Sequence, residues 1–254
     1  MLKNTGITLA LATLAVVGAL GIDAYLPSLH AITESLQASP VAVQQTLSIY
    51  IATMAITTLF AGTLSDSFGR RPTVMGALLL FTGASVLALF ANDIETLLLA
   101  RGLQGIAAGF SAVLSRTIVQ DRFQGPEAQR VMALITMLFS IAPSIAPIVG
   151  GWLQSNFGWH SVFVLLGVYG FGLWALWAVG VPETLPQENR VPFRFGSILG
   201  NYVQALTHLP FVMRILGIAL AFIGISIYVS SSAHFVMDVL GLSETSFGWG
   251  CSYR

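Results

Sequence analysis

Arg101 stands inside an apolar run that reads Leu99-Ala-Arg101-Gly-Leu-Gln104-Gly105-Ile-Ala-Ala-Gly109. A guanidinium there needs a partner, an aqueous cavity, or an interface close enough to snorkel to. At the bilayer centre it costs roughly 2.5–3.5 kcal/mol on insertion scales, less toward the edge. Arg101, Gly105 and Gly109 recur every four residues and therefore share one helix face. Asp23, in Ile-Asp-Ala-Tyr-Leu-Pro, lies near the outer end of a different apolar run. Burial disfavours an ionised carboxyl, which makes Asp23 a candidate to bind and release a proton; capping a loop at the interface is the plainer alternative. Counted inward from the outer boundary, Asp23 and Arg101 fall at nearly the same depth on different helices. An Asp–Arg pair that breaks and reforms with protonation is the expectation.

Two further segments carry suggestive spacing. Gly62-Thr-Leu-Ser-Asp66-Ser-Phe-Gly69-Arg70-Arg71-Pro72 joins the second and third apolar runs. Gly62 is expected to let helices approach closely and Gly69 to support a tight turn. Asp66 is expected to cap the next segment or to pair with Arg70 or Arg71. In the fifth run, Ala142, Ala146 and Gly150 repeat every four residues and leave one face almost bare for packing. Pro143 and Pro147 each remove a backbone donor from that helix, and Gly151 follows Gly150. Thr46, Tyr50, Thr53 and Thr57 share a face of the second run, which suits either a cavity lining or polar contact between helices; Tyr50 and Gln104 are the cavity candidates.

Other chemistry has little to work with. The four His residues show no metal-ligand spacing, the Ser residues have no partner base, and the Gly-rich runs do not follow a strand as a phosphate cradle would. Neither a catalytic carboxylate pair nor a cofactor site is read. The single Cys251 cannot form an internal disulfide. With a formal net charge of zero, nothing points to nucleic acid.

The elements that must hold these residues are membrane spans. Only 9% of residues are charged and 55% are apolar, with a mean hydropathy of +0.80. A soluble domain carries about a quarter charged residues. A helix crosses the hydrocarbon layer in about 20 residues, and seven runs qualify: Thr5–Pro27, Gln44–Leu64, Thr73–Ala91, Thr96–Val119, Val131–Leu153, Ser161–Val181 and Phe211–Val236. They must be helices, because a lipid-exposed backbone has to satisfy its own hydrogen bonds. Lys3, Arg70, Arg71, Arg122, Arg130, Arg190 and Arg194 fall in alternate connections, and the other connections hold no Lys or Arg. That bias puts the N-terminus in the cytoplasm. The first run is too long for a secretory signal and lacks a small-residue cleavage pattern.

The organisation that follows is an all-α, multi-pass membrane protein. Residues 1–181 form a six-helix half. Residues 182–210 form a basic cytoplasmic linker in which Phe195, Ile198, Leu199, Tyr202 and Leu206 recur at the spacing of an interfacial helix. Residues 211–254 hold a seventh span and the start of a second half. Because nothing apolar follows Phe247-Gly248-Trp249, the expectation is a truncated chain.

The segment from Gly62 to Arg71 resembles the loop signature of the major facilitator superfamily, Gly-x-Leu-x-Asp-x-x-Gly-Arg-Arg/Lys. The Arg101-x-x-Gln104-Gly105 element is similar to that family's fourth-helix motif, whose Arg is implicated in proton coupling. Pro143 to Gly151 resembles its antiporter pattern, with Ala146 in a Gly position. Ile22-Asp23-x-Tyr25-Leu-Pro, the Glu183-Thr-Leu after span six and Phe247-Gly-Trp bring the likeness to the Bcr/CflA type. Thr63 and Thr58 depart from residues usual there. The resemblance implies the major facilitator fold in a bacterial inner membrane and drug:proton antiport without a cofactor, powered by the proton gradient. A small amphipathic or apolar drug would bind between two halves, with Asp23 and Arg101 coupling, Tyr50 and Gln104 near the substrate, Gly62 to Arg71 gating the inner face, and Pro143 to Gly151 sealing the core. The alternative is a non-transporting fragment, or a half-transporter subunit needing a second chain.

Overall fold

The computed structural model describes residues 2–192, 200 and 204–234. It divides into a unit over Met1–Phe193 and a second over Arg194–Arg254. In the first unit the helices are α1 (Leu2–Asp23), the short α2 (Leu29–Ser35), α3 (Pro40–Phe68), α4 (Arg70–Leu89), α5 (Ile94–Arg122), α6 (Gly125–Phe157) and α7 (His160–Gly180). The second unit contains α8 (Leu209–His234), in the place expected for a seventh span. Among the described residues, six helices are long and apolar enough to cross a membrane. Most of the interfacial helix expected in the linker lies outside the described residues, as does everything after His234.

Three helices, α3, α5 and α6, overrun at both ends the apolar stretches that announce them, because caps rather than hydropathy end a helix. Ser39 accepts a hydrogen bond from the Ala42 amide at 3.2 Å and starts α3, with Pro40 at the first helical position. Asp93 accepts from the Thr96 amide at 2.7 Å and starts α5. α1 stops at Asp23, short of the expected Pro27, and gives way to a 3₁₀ turn over Leu26–Ser28. Pro27 has no amide to continue an α-helical ladder.

The packing has an internal symmetry. α5 packs on α3, α4 and α1; α1 packs on α6, α7 and α5; α4 packs on α7. Exchanging α1, α3 and α4 with α5, α6 and α7 maps this contact pattern onto itself, the mark of two three-helix repeats. α1 and α5 take the centre. α3 and α6, which the exchange relates, are the least covered: 17% and 22% of their most apolar windows are buried, against 56% for α5.

Glycines set how closely the central helices meet. A Cβ at Gly105 would run into the Tyr50 carbonyl and the Thr53 hydroxyl, and one at Gly109 would stand 2.7 Å from the Met54 carbonyl oxygen. α3 and α5 therefore cross backbone to backbone. On the other side of the bundle Ala142, Ala146 and Gly150 are buried in α6, together with Val131 and Ile135 nearer its start, and Gly150 meets the Ala24 carbonyl with no room for a side chain.

Candidate functional site

Arg101 is completely enclosed, which removes the snorkelling alternative. Its Nη1 donates to Gln104 Oε1 at 2.8 Å, Gln104 Nε2 donates to Ser85 Oγ at 2.8 Å, and Ser85 donates to the Phe81 carbonyl at 2.7 Å. This chain ties α5 to α4. The guanidinium also lies against two aromatic faces, with Cζ 4.4 Å from the Tyr25 ring centroid and 4.2 Å from that of Tyr50. Cation–π contacts of this kind are worth about 0.5–2 kcal/mol, with the higher end where water is excluded. Nε and Nη2 are buried without a hydrogen-bond partner.

Both rings are held from behind. Thr46 Oγ1 donates to the Val43 carbonyl at 2.6 Å, so the Tyr25 hydroxyl, also 2.6 Å from that oxygen, is the donor to it. The Tyr50 hydroxyl donates to the Gly18 carbonyl at 3.1 Å, and it fits because Gly21 has no Cβ: one there would be 2.5 Å from the phenol oxygen. Thr46, Tyr50 and Thr57 are all buried. The polar face of α3 thus makes contact between helices. Tyr50 and Gln104, expected near a substrate, are fully buried inside the six-helix unit, where they support Arg101.

Asp23 is half-buried at the last position of α1. Among the described residues no ion pair joins it to Arg101. Depth along the membrane normal fixes one coordinate only. The direction in which a side chain leaves its helix depends on where that helix ends, and α1 unwinds right after Asp23. Tyr25, two residues on, is what reaches Arg101.

At the opposite end of the bundle, Gly69 joins α3 to α4 with φ +100°, a conformation that L side chains rarely adopt. Arg70 is 6% exposed and sits among Asp66 Oδ1 at 2.5 Å, Ser65 Oγ at 2.5 Å and Asp121 Oδ2 at 2.8 Å, the last from the end of α5. Asp66 therefore pairs with Arg70, as one of its two expected roles has it. The other role, capping α4, belongs to Glu183. Its carboxylate accepts from the amides of Arg70 at 3.0 Å and Arg71 at 3.3 Å, and from Thr184 and Leu185 in its own turn. Arg190 stands 3.5 Å from it. Arg71 Nη2 donates at 2.6 Å to the Ala178 carbonyl in the last turn of α7, where helix carbonyls lack partners.

Two expectations at this end change. A Cβ at Gly62 would meet nothing within 4 Å, so among the described residues no helix approaches closely there. Its carbonyl instead accepts from Ser65 Oγ at 2.7 Å. Gly69 does more than turn the chain: a Cβ there would be 2.5 Å from Glu183 Oε2 and 2.7 Å from Arg190 Nη2. In α6, Pro143 and Pro147 lie within the helix, Pro143 on its exposed side, while Ala146 and Gly150 face α1 and Gly151 rests beside Pro27. Spacing singled out neither Tyr25 nor Ser85, Asp121 or Glu183 as site residues. Tyr25 and Glu183 had a signal in the short motifs around them; Ser85 and Asp121 had none.

Comparison with known proteins agrees with this arrangement. The family model described as "Major Facilitator Superfamily" matches residues 11–252. An uncharacterized MFS-type transporter, YdgK, of Bacillus subtilis is 35% identical over 96% of the chain and 61% of its own length. A bicyclomycin resistance protein homolog of Haemophilus influenzae is 30% identical over 95% of the chain and 61% of its own length. Among solved structures, the human organic anion transporter MFSD10 superposes with a TM-score of 0.62 at 20% identity, over 76% of this chain and 52% of that one. The chain thus spans about 60% of the length of the curated relatives it matches. It belongs to the Major Facilitator Superfamily.

Proposed function

We propose that the protein exports small amphipathic or apolar drugs across a bacterial inner membrane in exchange for protons, with its N-terminus in the cytoplasm. The observation that carries this reading is Arg101: a fully buried guanidinium in the central helix, with no carboxylate within ion-pair distance among the described residues. Such a charge inside a membrane bundle is expensive, and functional pathways are where such charges persist. The Asp23 side chain, half-buried on the neighbouring central helix, is in no ion pair among the described residues and takes the role of proton acceptor. The likeness to a bicyclomycin resistance protein homolog supports a drug as the substrate class. The little-covered faces of α3 and α6 supply the wall of a path that opens to alternate sides as the bundle rocks. The Arg70–Asp66–Asp121 cluster and the Glu183 cap close the inner end. The proton gradient is the energy source, and no cofactor is required.

The test is drug accumulation in cells expressing the protein from its own complete gene. A fluorescent amphipathic drug should accumulate to a lower level than in cells with an empty vector, and a protonophore should abolish the difference. Equal accumulation, or a difference that survives the protonophore, would overturn the reading.

A further inference from the structure

We infer that Tyr25 is a positioning residue that transmits the contact between α6 and α1 to the Arg101 guanidinium. The two rings on Arg101 are not equivalent. Tyr50 lies in the middle of α3, held by helix on both sides. Tyr25 lies where α1 has ended and a 3₁₀ turn begins, so its own backbone restrains it less. Its place comes instead from its neighbours. Its hydroxyl donates to Thr46 of α3, and its ring packs on Phe163 of α7 with centroids 5.7 Å apart. The carbonyl of Ala24, immediately before it, touches Gly150 of α6 where a Cβ has no space.

The geometry therefore makes one connected path: Gly150, the Ala24 peptide, the Tyr25 ring, the Arg101 guanidinium. A backbone-to-backbone contact is stiff, since neither side has a rotamer to absorb a shift. Any displacement of this part of α6 moves the Ala24–Tyr25 peptide and slides the ring across the guanidinium. Because Nη1 alone is hydrogen-bonded among the described residues, the rings are the main restraint there on the rest of the group. Its functional meaning rests on the reading of Arg101 as a coupling residue. The physical claim does not, and a connected path needs coupling evidence in any case.

The experiment is side-chain NMR of the 254-residue chain, labelled with ¹⁵N-arginine, in lipid nanodiscs. The Arg101 Nε–H resonance is the one lost in Arg101→Lys. In the wild type, ring currents should displace it from the signals of exposed Arg116 and Arg130, and its exchange with water should be slow. Tyr25→Phe keeps the ring and should keep both features. Tyr25→Leu should move the resonance toward the exposed signals and speed exchange roughly tenfold. Gly150→Ala should move it in the same direction, although Gly150 does not touch Arg101, and adding it to Tyr25→Leu should give little further change. Gly172→Ala, where a Cβ meets nothing within 4 Å, should leave it in place.

The inference is overturned if Tyr25→Leu or Gly150→Ala leaves the resonance unchanged. It is also overturned if the two effects add independently, or if Gly172→Ala moves the signal as far as Gly150→Ala does. Should Tyr25→Leu fail to fold, the Gly150→Ala shift measured in the wild type and in Tyr25→Phe decides alone. If export proves independent of protons while the resonance behaves as described, the coupling reading falls and this inference stands. If export requires Arg101 but the resonance ignores Gly150, the inference alone falls.

Discussion

Asp93 shows how much one side chain does at a helix start. It caps α5 through Thr96, whose amide and hydroxyl both donate to its carboxylate, and these bonds hold its pKa below the usual carboxylate value. A depressed folded-state pKa gives stability that is fully present above the unfolded value, near 3.9, and is lost as pH falls through the folded one. Protection of the Thr96 and Leu97 amides, measured as exchange relative to the intrinsic rate at each pH, should therefore be flat from pH 8 to about 5 and fall below about 4. Asp93→Asn should remove that pH dependence; protection that still falls below about pH 4 in the variant would place the titrating group elsewhere. Gly69 is the second residue whose identity is forced. Gly69→Ala meets both a left-handed backbone and the Glu183–Arg190 pair, and should lower stability by about 1–3 kcal/mol in detergent unfolding. A loss within experimental error would mean the corner relaxes at no cost. Gly69 and Arg101 were legible because each violates a local rule, a turn between two helices and a charge in an apolar run. Asp23 and Arg101 form no ion pair among the described residues, since equal depth, which is legible, does not fix azimuth, which is not. Glu183 was not singled out because its partners, Arg70 and Arg71, are more than a hundred residues away, a separation that no periodicity encodes.

Helix identity was plain in the hydropathy, whereas helix ends were not. α3 and α6 run well past the apolar stretches because Ser39, Pro40 and Pro126 start them, and α1 falls short because Pro27 cannot extend it. Helix contacts follow small residues, but spacing alone does not say which of them are used. Gly105 and Gly150 are used; Gly62, in an equally suggestive motif, has no close neighbour among the described residues. A direct comparison follows. Gly105→Ala drives a methyl into the Tyr50 carbonyl and should cost about 1–3 kcal/mol as an overpacked contact, while Gly62→Ala should be neutral or slightly stabilising. Thermal unfolding of both variants in the same detergent checks this, and equal melting temperatures would refute the crossing of α3 and α5 described here.

At the scale of the molecule, the ends of the bundle differ in chemistry. Arg70, Arg71, Asp66, Asp121, Glu183 and Arg190 form a charged network at one end; aromatic residues such as Trp159 and Phe163 gather with Tyr25 at the other. Taking the basic end as cytoplasmic, a cysteine at Arg190 should resist a membrane-impermeant thiol reagent in intact cells, after Cys251 is replaced, and a cysteine at Asp93 should react. The reverse pattern would invert the orientation. The two three-helix repeats put α1, which carries Asp23, and α5, which carries Arg101, at the centre of the six-helix unit. The central claim is that these two residues join proton movement to drug movement. Its most direct measurement is proton flux in everted membrane vesicles from cells expressing the protein from its own complete gene, acidified inside by respiration and followed with a pH-sensitive dye. Adding drug should release protons from vesicles carrying the wild type, and the release should disappear with Asp23→Asn and with Arg101→Ala. Drug-induced release at the wild-type rate in both variants would contradict the account.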